Sequence, residues 1–172
     1  MPRIIILIGP KGSGKSTIGD LLDREAGVHF LRVEPLFLQA RAELGPGHPD
    51  FEQRGFAAVL ARVAQELPLH ASICIESTGA STDFPGFLEA LGRMADVILV
   101  QVRAELPQCL DRVRSRDRSI HIPVSDDQVD RINARAAEVR LPWAAAIDNS
   151  GPFEPGRILA VVRDLLAGPT PG

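Results

Sequence analysis

Short apolar runs alternate with amphipathic stretches along almost the whole chain. Arg3-Ile4-Ile5-Ile6-Leu7-Ile8 is continuous and β-branched, the pattern of a parallel strand buried on both faces. After it, Ile18, Leu21, Leu22 and Ala26 recur at helical spacing between Ser16 and Ala26. Further strands are predicted over 28–33, 71–76, 96–102 and 143–148, and helices over 35–44, 51–67, 84–94, 105–114, 125–139 and 155–167. The breaker Gly45-Pro46-Gly47-His48-Pro49 separates the second and third helices. Strands that alternate with helices imply an α/β fold, a parallel sheet covered on both faces. A single domain over 1–168 is expected, with a frayed tail at 169–172.

The turn between the first strand and the first helix reads Gly9-Pro10-Lys11-Gly12-Ser13-Gly14-Lys15-Ser16-Thr17, a full match to GxxxxGK(S/T). In such a loop backbone N–H groups wrap phosphates, the lysine reaches the β/γ oxygens and the hydroxyl holds Mg²⁺. Unsatisfied donors at the start of the following helix point at the same anion. Gly9, Gly12, Ser13, Gly14, Lys15, Ser16 and Thr17 are therefore nucleotide-binding candidates. Of the nineteen basic residues only Lys11 and Lys15 are lysines. Arginine's planar fork replaces a compact ammonium poorly, so lysine at position 15 reads as chemical necessity and Lys11 as incidental.

Ligands of open parallel sheets bind beyond the carboxyl ends of the strands, and two acids are predicted there. Glu34 follows the second strand, where an acceptor would lie beside the γ-phosphate. Glu76 closes the apolar run Ile73-Cys74-Ile75, a Walker B-like position from which it would face the metal or its waters. Either carboxylate could orient or deprotonate an acceptor hydroxyl. A cationic cluster, Arg112, Arg114, Arg116 and Arg118, alternates from the end of the fifth helix into the next turn. Phosphoryl transfer spreads negative charge that arginines on a mobile lid can stabilise, and the segment 116–125 has little helical character. His121 within it is expected to be a loop or packing residue.

Composition narrows the classes. With 172 residues and 45 % hydrophobic content the chain makes one domain with a sizeable core. A net charge of −3 gives no pull toward nucleic acid or membrane surfaces. No run approaches a membrane span, and no signal-peptide pattern precedes the first strand, so a cytoplasmic protein is expected. Cys74 and Cys109 are too few for a disulfide scaffold.

With these pieces in place, the chain resembles the small P-loop kinases of the shikimate kinase, gluconate kinase and nucleoside monophosphate kinase group over nearly its whole length. The resemblance rests on the glycine loop, Glu34, Ser77-Thr78-Gly79, the arginine turn and Ile147-Asp148-Asn149-Ser150-Gly151. It implies the P-loop NTPase three-layer sandwich with strand order 2-3-1-4-5 and a lid at 116–125. It also implies that Arg116 lies against the base, that Arg118 reaches the phosphates, and that the stretch from Asn149 to Pro155 borders the adenine. Shikimate kinases pair two aspartates near the end of strand 2, carry three glycines after strand 3, and place an arginine after a phenylalanine for the substrate carboxylate. The stretches here read Arg32-Val33-Glu34, Gly79-Ala80-Ser81 and Phe51-Glu52-Gln53-Arg54. Arg54 or Arg135 could still hold an anionic acceptor.

The expected activity is ATP- and Mg²⁺-dependent transfer of the γ-phosphate to a small-molecule acceptor, by a monomer or homodimer. Lys15, Glu34, Glu76 and Arg118 are the catalytic candidates, and Ser16 and Glu76 the metal ligands. Two alternatives come from other classes. One is a nucleotide-driven ATPase or switch, for which the sequence has no NKxD guanine signature. The other is a kinase acting on a nucleotide or RNA end, which net acidity does not help and the local arginines keep open.

Overall fold

The computed structural model describes residues 1–117 and 119–168. Arg118 and the expected tail at 169–172 lie outside the described residues. Five strands form one sheet: β1 (Arg3–Ile8), β2 (His29–Phe30), β3 (Ser72–Ser77), β4 (Asp96–Arg103) and β5 (Ala145–Asp148). Their spatial order is β2-β3-β1-β4-β5 and every pairing is parallel. Seven helices join them: α1 (Lys15–Glu25), α2 (Glu34–Leu44), α3 (Phe51–Glu66), α4 (Phe84–Gly92), α5 (Leu106–Arg114), α6 (Asp126–Glu138) and α7 (Pro155–Ala167).

The isoleucine run of β1 explains the layering. Successive side chains of a strand point to opposite faces. Ile4, Ile6 and Ile8 pack with Val59 and Val63 of α3 and with Phe84, Phe87 and Leu91 of α4. Ile5 and Leu7 pack with Ile18, Leu21 and Leu22 of α1 and with Ile158, Leu159 and Val162 of α7. Both faces are covered by apolar side chains, so beyond Arg3 at its start this central strand has no polar position. The register aligns Ile8 with Ser77 and with Gln101, which brings the carboxyl ends of β1, β3 and β4 to one level.

Two strands are shorter than the apolar pattern predicts. The second, expected over 28–33, pairs only at His29 and Phe30, although the Leu31 N–H still donates to the Cys74 carbonyl. Pro35 sits in the first turn of α2, where its missing N–H costs nothing, and Val33 is already helical. Glu34 therefore opens α2 instead of ending β2. The fifth, expected from Trp143, begins at Ala145, after a turn in which the Trp143 N–H donates to the Leu141 carbonyl. α4 stops at Gly92, short of Met94. Cys74 and Cys109 are free and buried. Among the described residues no helix is long and apolar enough to cross a membrane.

Ile5 is fully buried between β1 and the α1/α7 layer. Ile5→Ala should therefore lower the unfolding free energy by about 2–5 kcal/mol, read from the denaturant midpoint at unchanged slope. A loss below about 1 kcal/mol would mean that this layer is not the tightly packed core described above.

Candidate active site

The β1–α1 turn is compressed in a way that accepts only glycine at its key points. Gly12 and Gly14 have φ of 82° and 94°, in the left-handed region. A Cβ on Gly12 would lie 2.2 Å from the Cys109 carbonyl oxygen, and one on Gly14 would lie 2.2 Å from Asn149 Nδ2. Position 9 is equally tight, at 2.2 Å from the Val102 carbonyl oxygen. No side chain caps α1, so the donors of its first turn stay available to an anion. Thr17, in that turn, is exposed.

Four polar residues are buried among the described ones, Ser13, Lys15, Asn133 and Asn149, and all belong to this loop or brace it. Lys15 Nζ donates to the carbonyls of Gly9 at 2.9 Å and Pro10 at 2.7 Å. Burial lowers its pKa to about 8, against the opposing pull of Glu76. Asn133 of α6 accepts from the Lys11 N–H at 2.7 Å and donates to the Lys11 carbonyl at 3.1 Å. Asn149 Nδ2 donates to the Ser13 carbonyl at 2.9 Å. Arg112 spans Gly12 and Asn149, donating to the Gly12 carbonyl at 3.2 Å and the Asn149 carbonyl at 3.1 Å. Ser13 Oγ is buried with no partner.

Asn133 and Arg112 were not legible as braces, because a polar side chain on an amphipathic helix reads as solvated. Lys11, read as incidental, is pinned at its backbone and lines the same cavity as Lys15. Burial lowers its pKa, while Glu34 opposes the shift.

That cavity, of about 320 Å³, joins Lys11, Lys15, Ser16, Glu34, Glu76 and Arg116. Ser16 Oγ lies 2.9 and 3.0 Å from the two carboxylate oxygens of Glu76. A hydroxyl and a carboxylate so close together supply hard oxygen donors, the type that Mg²⁺ takes, so this pair fits the metal. Arg116 and Arg135 make no ion pair among the described residues, and both reach the cavity. Arg114 points elsewhere, to Asp126 at 2.7 Å. Arg54 is paired with Glu43 at 3.9 Å and does not line the cavity. Pro155 is exposed at the start of α7, and Asn149 is buried beneath the loop.

The second carboxylate is tied to the segment expected to form a lid. Glu34 Oε1 accepts from the Ile122 N–H at 3.0 Å, and Glu34 Oε2 lies 2.8 Å from His121 Nδ1. Burial pushes the Glu34 carboxyl up, but the Ile122 and His121 hydrogen bonds, with the charges of His121 and Lys11, outweigh it and hold the pKa below its ordinary value. His121 is thus a loop residue with one specific partner on α2. A capping box fixes the far end of the segment, since the Gln128 N–H donates to Ser125 Oγ at 3.2 Å and the Ser125 N–H donates to Gln128 Oε1 at 2.8 Å.

A glycine loop opening a helix beside a β2-β3-β1-β4-β5 sheet, with a cation-rich cavity above the strand ends, defines a P-loop phosphotransferase. Comparison with known proteins agrees. The sequence is 30 % identical over 167 residues to a shikimate kinase from Halorhodospira halophila, covering 96 % of this chain and 92 % of that one. The chain belongs to the shikimate kinase family, and it is a kinase that transfers phosphate from ATP. No protein-family model matches it. Its fold is also that of a sugar kinase from Janibacter sp., with TM-score 0.69 and 16 % identity, covering 97 % of this chain and 95 % of that one. An APS kinase from Mycobacterium tuberculosis gives TM-score 0.68 and 14 % identity over 97 % of this chain and 98 % of that one. The shikimate kinase of Aquifex aeolicus gives 0.63 and 19 % over 96 % of each.

If Glu34 holds the 116–125 segment, Glu34→Ala should speed hydrogen exchange at Ile122 about tenfold or more, the equivalent of a lost hydrogen bond to a charged group. The amides of β1 should be unaffected. Unchanged exchange at Ile122 would show that this segment is held by something other than Glu34.

Proposed function

We propose that this kinase phosphorylates a hydroxyl of a small anionic metabolite other than shikimate, with Arg135 in place of Arg54 as the residue that receives the anion. The carrying observation is the continuity of one cavity. It is lined by the loop lysines and the two carboxylates, by Phe37, Phe51, Phe56 and Phe87, and by Arg135, which makes no ion pair among the described residues. An acceptor with an apolar or ring-shaped body would lie on the phenylalanines and point a hydroxyl toward Glu34. The altered stretches at Arg32-Val33-Glu34 and Gly79-Ala80-Ser81 remove groups that the family uses for shikimate, and Arg54 does not line the cavity.

In this reading the roles divide by position. The N–H groups around Gly12, Gly14 and Thr17 cradle the phosphates, Gly9 and Ser13 shape the loop through their N–H bonds to the Ser77 and Pro10 carbonyls, and Lys15 leaves the Gly9 and Pro10 carbonyls for a phosphate oxygen. Ser16 and Glu76 hold Mg²⁺, which when bound offsets the charge of the terminal phosphates. Glu34 exchanges its lid partners for the acceptor hydroxyl, orients it and takes its proton as the acceptor oxygen bonds to the γ-phosphorus and the bond from that phosphorus to the bridging oxygen breaks, with ADP leaving. Arg116 and Arg118 come over the transferring group with the lid and exclude water that would otherwise hydrolyse ATP. The stretch from Asn149 to Pro155 borders the adenine.

The test is phosphate transfer from labelled ATP to a panel of hydroxylated metabolites with and without a carboxylate or phosphate, including shikimate and an RNA bearing a 5′-hydroxyl. Transfer to an anionic acceptor other than shikimate is expected. Arg135→Ala should then raise the acceptor KM by about tenfold or more at unchanged ATP KM, and Arg54→Ala should change it by less than about twofold. Shikimate turnover with kcat/KM of about 10⁴ M⁻¹s⁻¹ or above, or transfer to RNA alone, would overturn the proposal.

A further inference from the structure

At the opposite end of the sheet from the nucleotide loop, three side chains from separate segments converge. His29 begins β2, Glu66 ends α3 and His70 precedes β3. The imidazoles of His29 and His70 are stacked, with centroids 4.0 Å apart and planes 8° from parallel. The same carboxylate oxygen, Glu66 Oε2, lies 3.9 Å from His29 Nε2 and 3.4 Å from His70 Nε2. One donor atom from each residue lies within 4.8 Å of the other two.

We propose that His29, Glu66 and His70 form a binding site for a first-row divalent transition ion, with Zn²⁺ as the best match. The separations are long for hydrogen bonds, whose N···O distances cluster near 2.9 Å. Tetrahedral bonds of about 2.0–2.2 Å place neighbouring donors about 3.3–3.6 Å apart, which the Glu66–His70 separation already meets, while the half-exposed His29 ring, now parallel to that of His70, would turn about its Cβ–Cγ bond to aim its Nε2 lone pair at the same ion. Two imidazoles and a carboxylate select borderline ions over Mg²⁺ or Ca²⁺, which take oxygen donors, and leave a coordination position for water.

The surroundings orient the same atoms. Arg62 Nε lies 3.2 Å from Glu66 Oε1, which occupies that oxygen and leaves Oε2 facing the rings. Asp23 Oδ1 lies 3.9 Å from His29 Nδ1, beyond hydrogen-bond distance, and places a further carboxylate beside the ring nitrogen that does not face Glu66. The side chains of His29, Glu66 and His70 are 30 %, 19 % and 35 % exposed, so an ion can reach them without opening the core. The site would act as a clip, tying the two-residue edge strand to the α3–β3 connection. It is independent of the acceptor that the kinase uses.

Untagged protein titrated with Zn²⁺ in a calorimeter should bind one equivalent at micromolar Kd or tighter, and its Tm should rise by several degrees at saturation. Co²⁺ in place of Zn²⁺ should give the strong visible bands of a four-coordinate ion. His70→Ala and His29→Ala should each weaken binding about tenfold or more and abolish the bands, while His48→Ala, a half-buried loop histidine outside the cluster, should match wild type. His29 lies within β2, so Glu66→Gln is measured beside it to separate a lost ligand from a disturbed strand. Absence of saturable Zn²⁺ binding, equal displacement by Mg²⁺, or wild-type affinity in His70→Ala and Glu66→Gln would overturn the proposal.

Discussion

A single ammonium group organises this molecule. Lys15 Nζ is buried beneath the nucleotide loop and held by the loop's own Gly9 and Pro10 carbonyls. A cation in that position is costly unless it is hydrogen-bonded, and the loop can supply the bonds only while its backbone is tightly wound. Winding requires glycine at 12 and 14, where any Cβ would strike the Cys109 carbonyl or the Asn149 amide. It also requires braces from outside the loop. Asn133 reaches in from α6, Asn149 from the end of β5 and Arg112 from α5, each bonded to loop carbonyls or N–H groups. The dry isoleucine strand beneath fixes the height at which all of this is built.

The same constraint sets the electrostatics of the cavity. Lys11, Lys15 and Arg116 face Glu34 and Glu76 across one space, and the two carboxylates have different partners. Glu76 is joined to the hydroxyl of Ser16 at the mouth of α1, and Glu34 to the backbone and imidazole of the 121–122 segment. One acid is therefore aligned with the start of α1 and the other with the 121–122 segment. This division follows from topology, since Glu76 continues β3 directly beside β1, whereas Glu34 begins a helix at the rim.

Much of this was legible in the sequence because it is local. The buried run at Ile4–Ile8, the glycine loop and the helical spacing of Ile18, Leu21 and Leu22 each lie within one window, and together they imply the parallel sheet. The resemblance to P-loop kinases added the strand order. Strand ends were less legible where a proline or a turn competes with an apolar run, as at Val33-Glu34-Pro35 and Trp143-Ala144. Apart from the pairing of Ser16 with Glu76, both motif positions, long-range polar contacts were not legible. Asn133 bonds to a residue 122 positions away and Arg112 to one 100 away, and nothing in the local pattern of α5 or α6 separates them from solvated neighbours. His29 and His70 are hidden in the same way, by lying on different elements.

The central claim, that Lys15 is a partly discharged buried cation waiting for phosphate, has a direct proton signature. With its pKa lowered to about 8, Lys15 in the free protein is largely neutral at higher pH, and a bound phosphate restores the charge. Calorimetry of ATP binding with Mg²⁺, in buffers of different ionisation enthalpy, should show uptake approaching one proton at about pH 9 and none from this group at about pH 6.5. Affinity should accordingly fall as pH rises above about 8. Lys11→Arg, which keeps a permanent charge at the neighbouring position, should preserve the uptake. Binding at about pH 9 with no proton uptake, and with the same affinity as at neutral pH, would contradict the account.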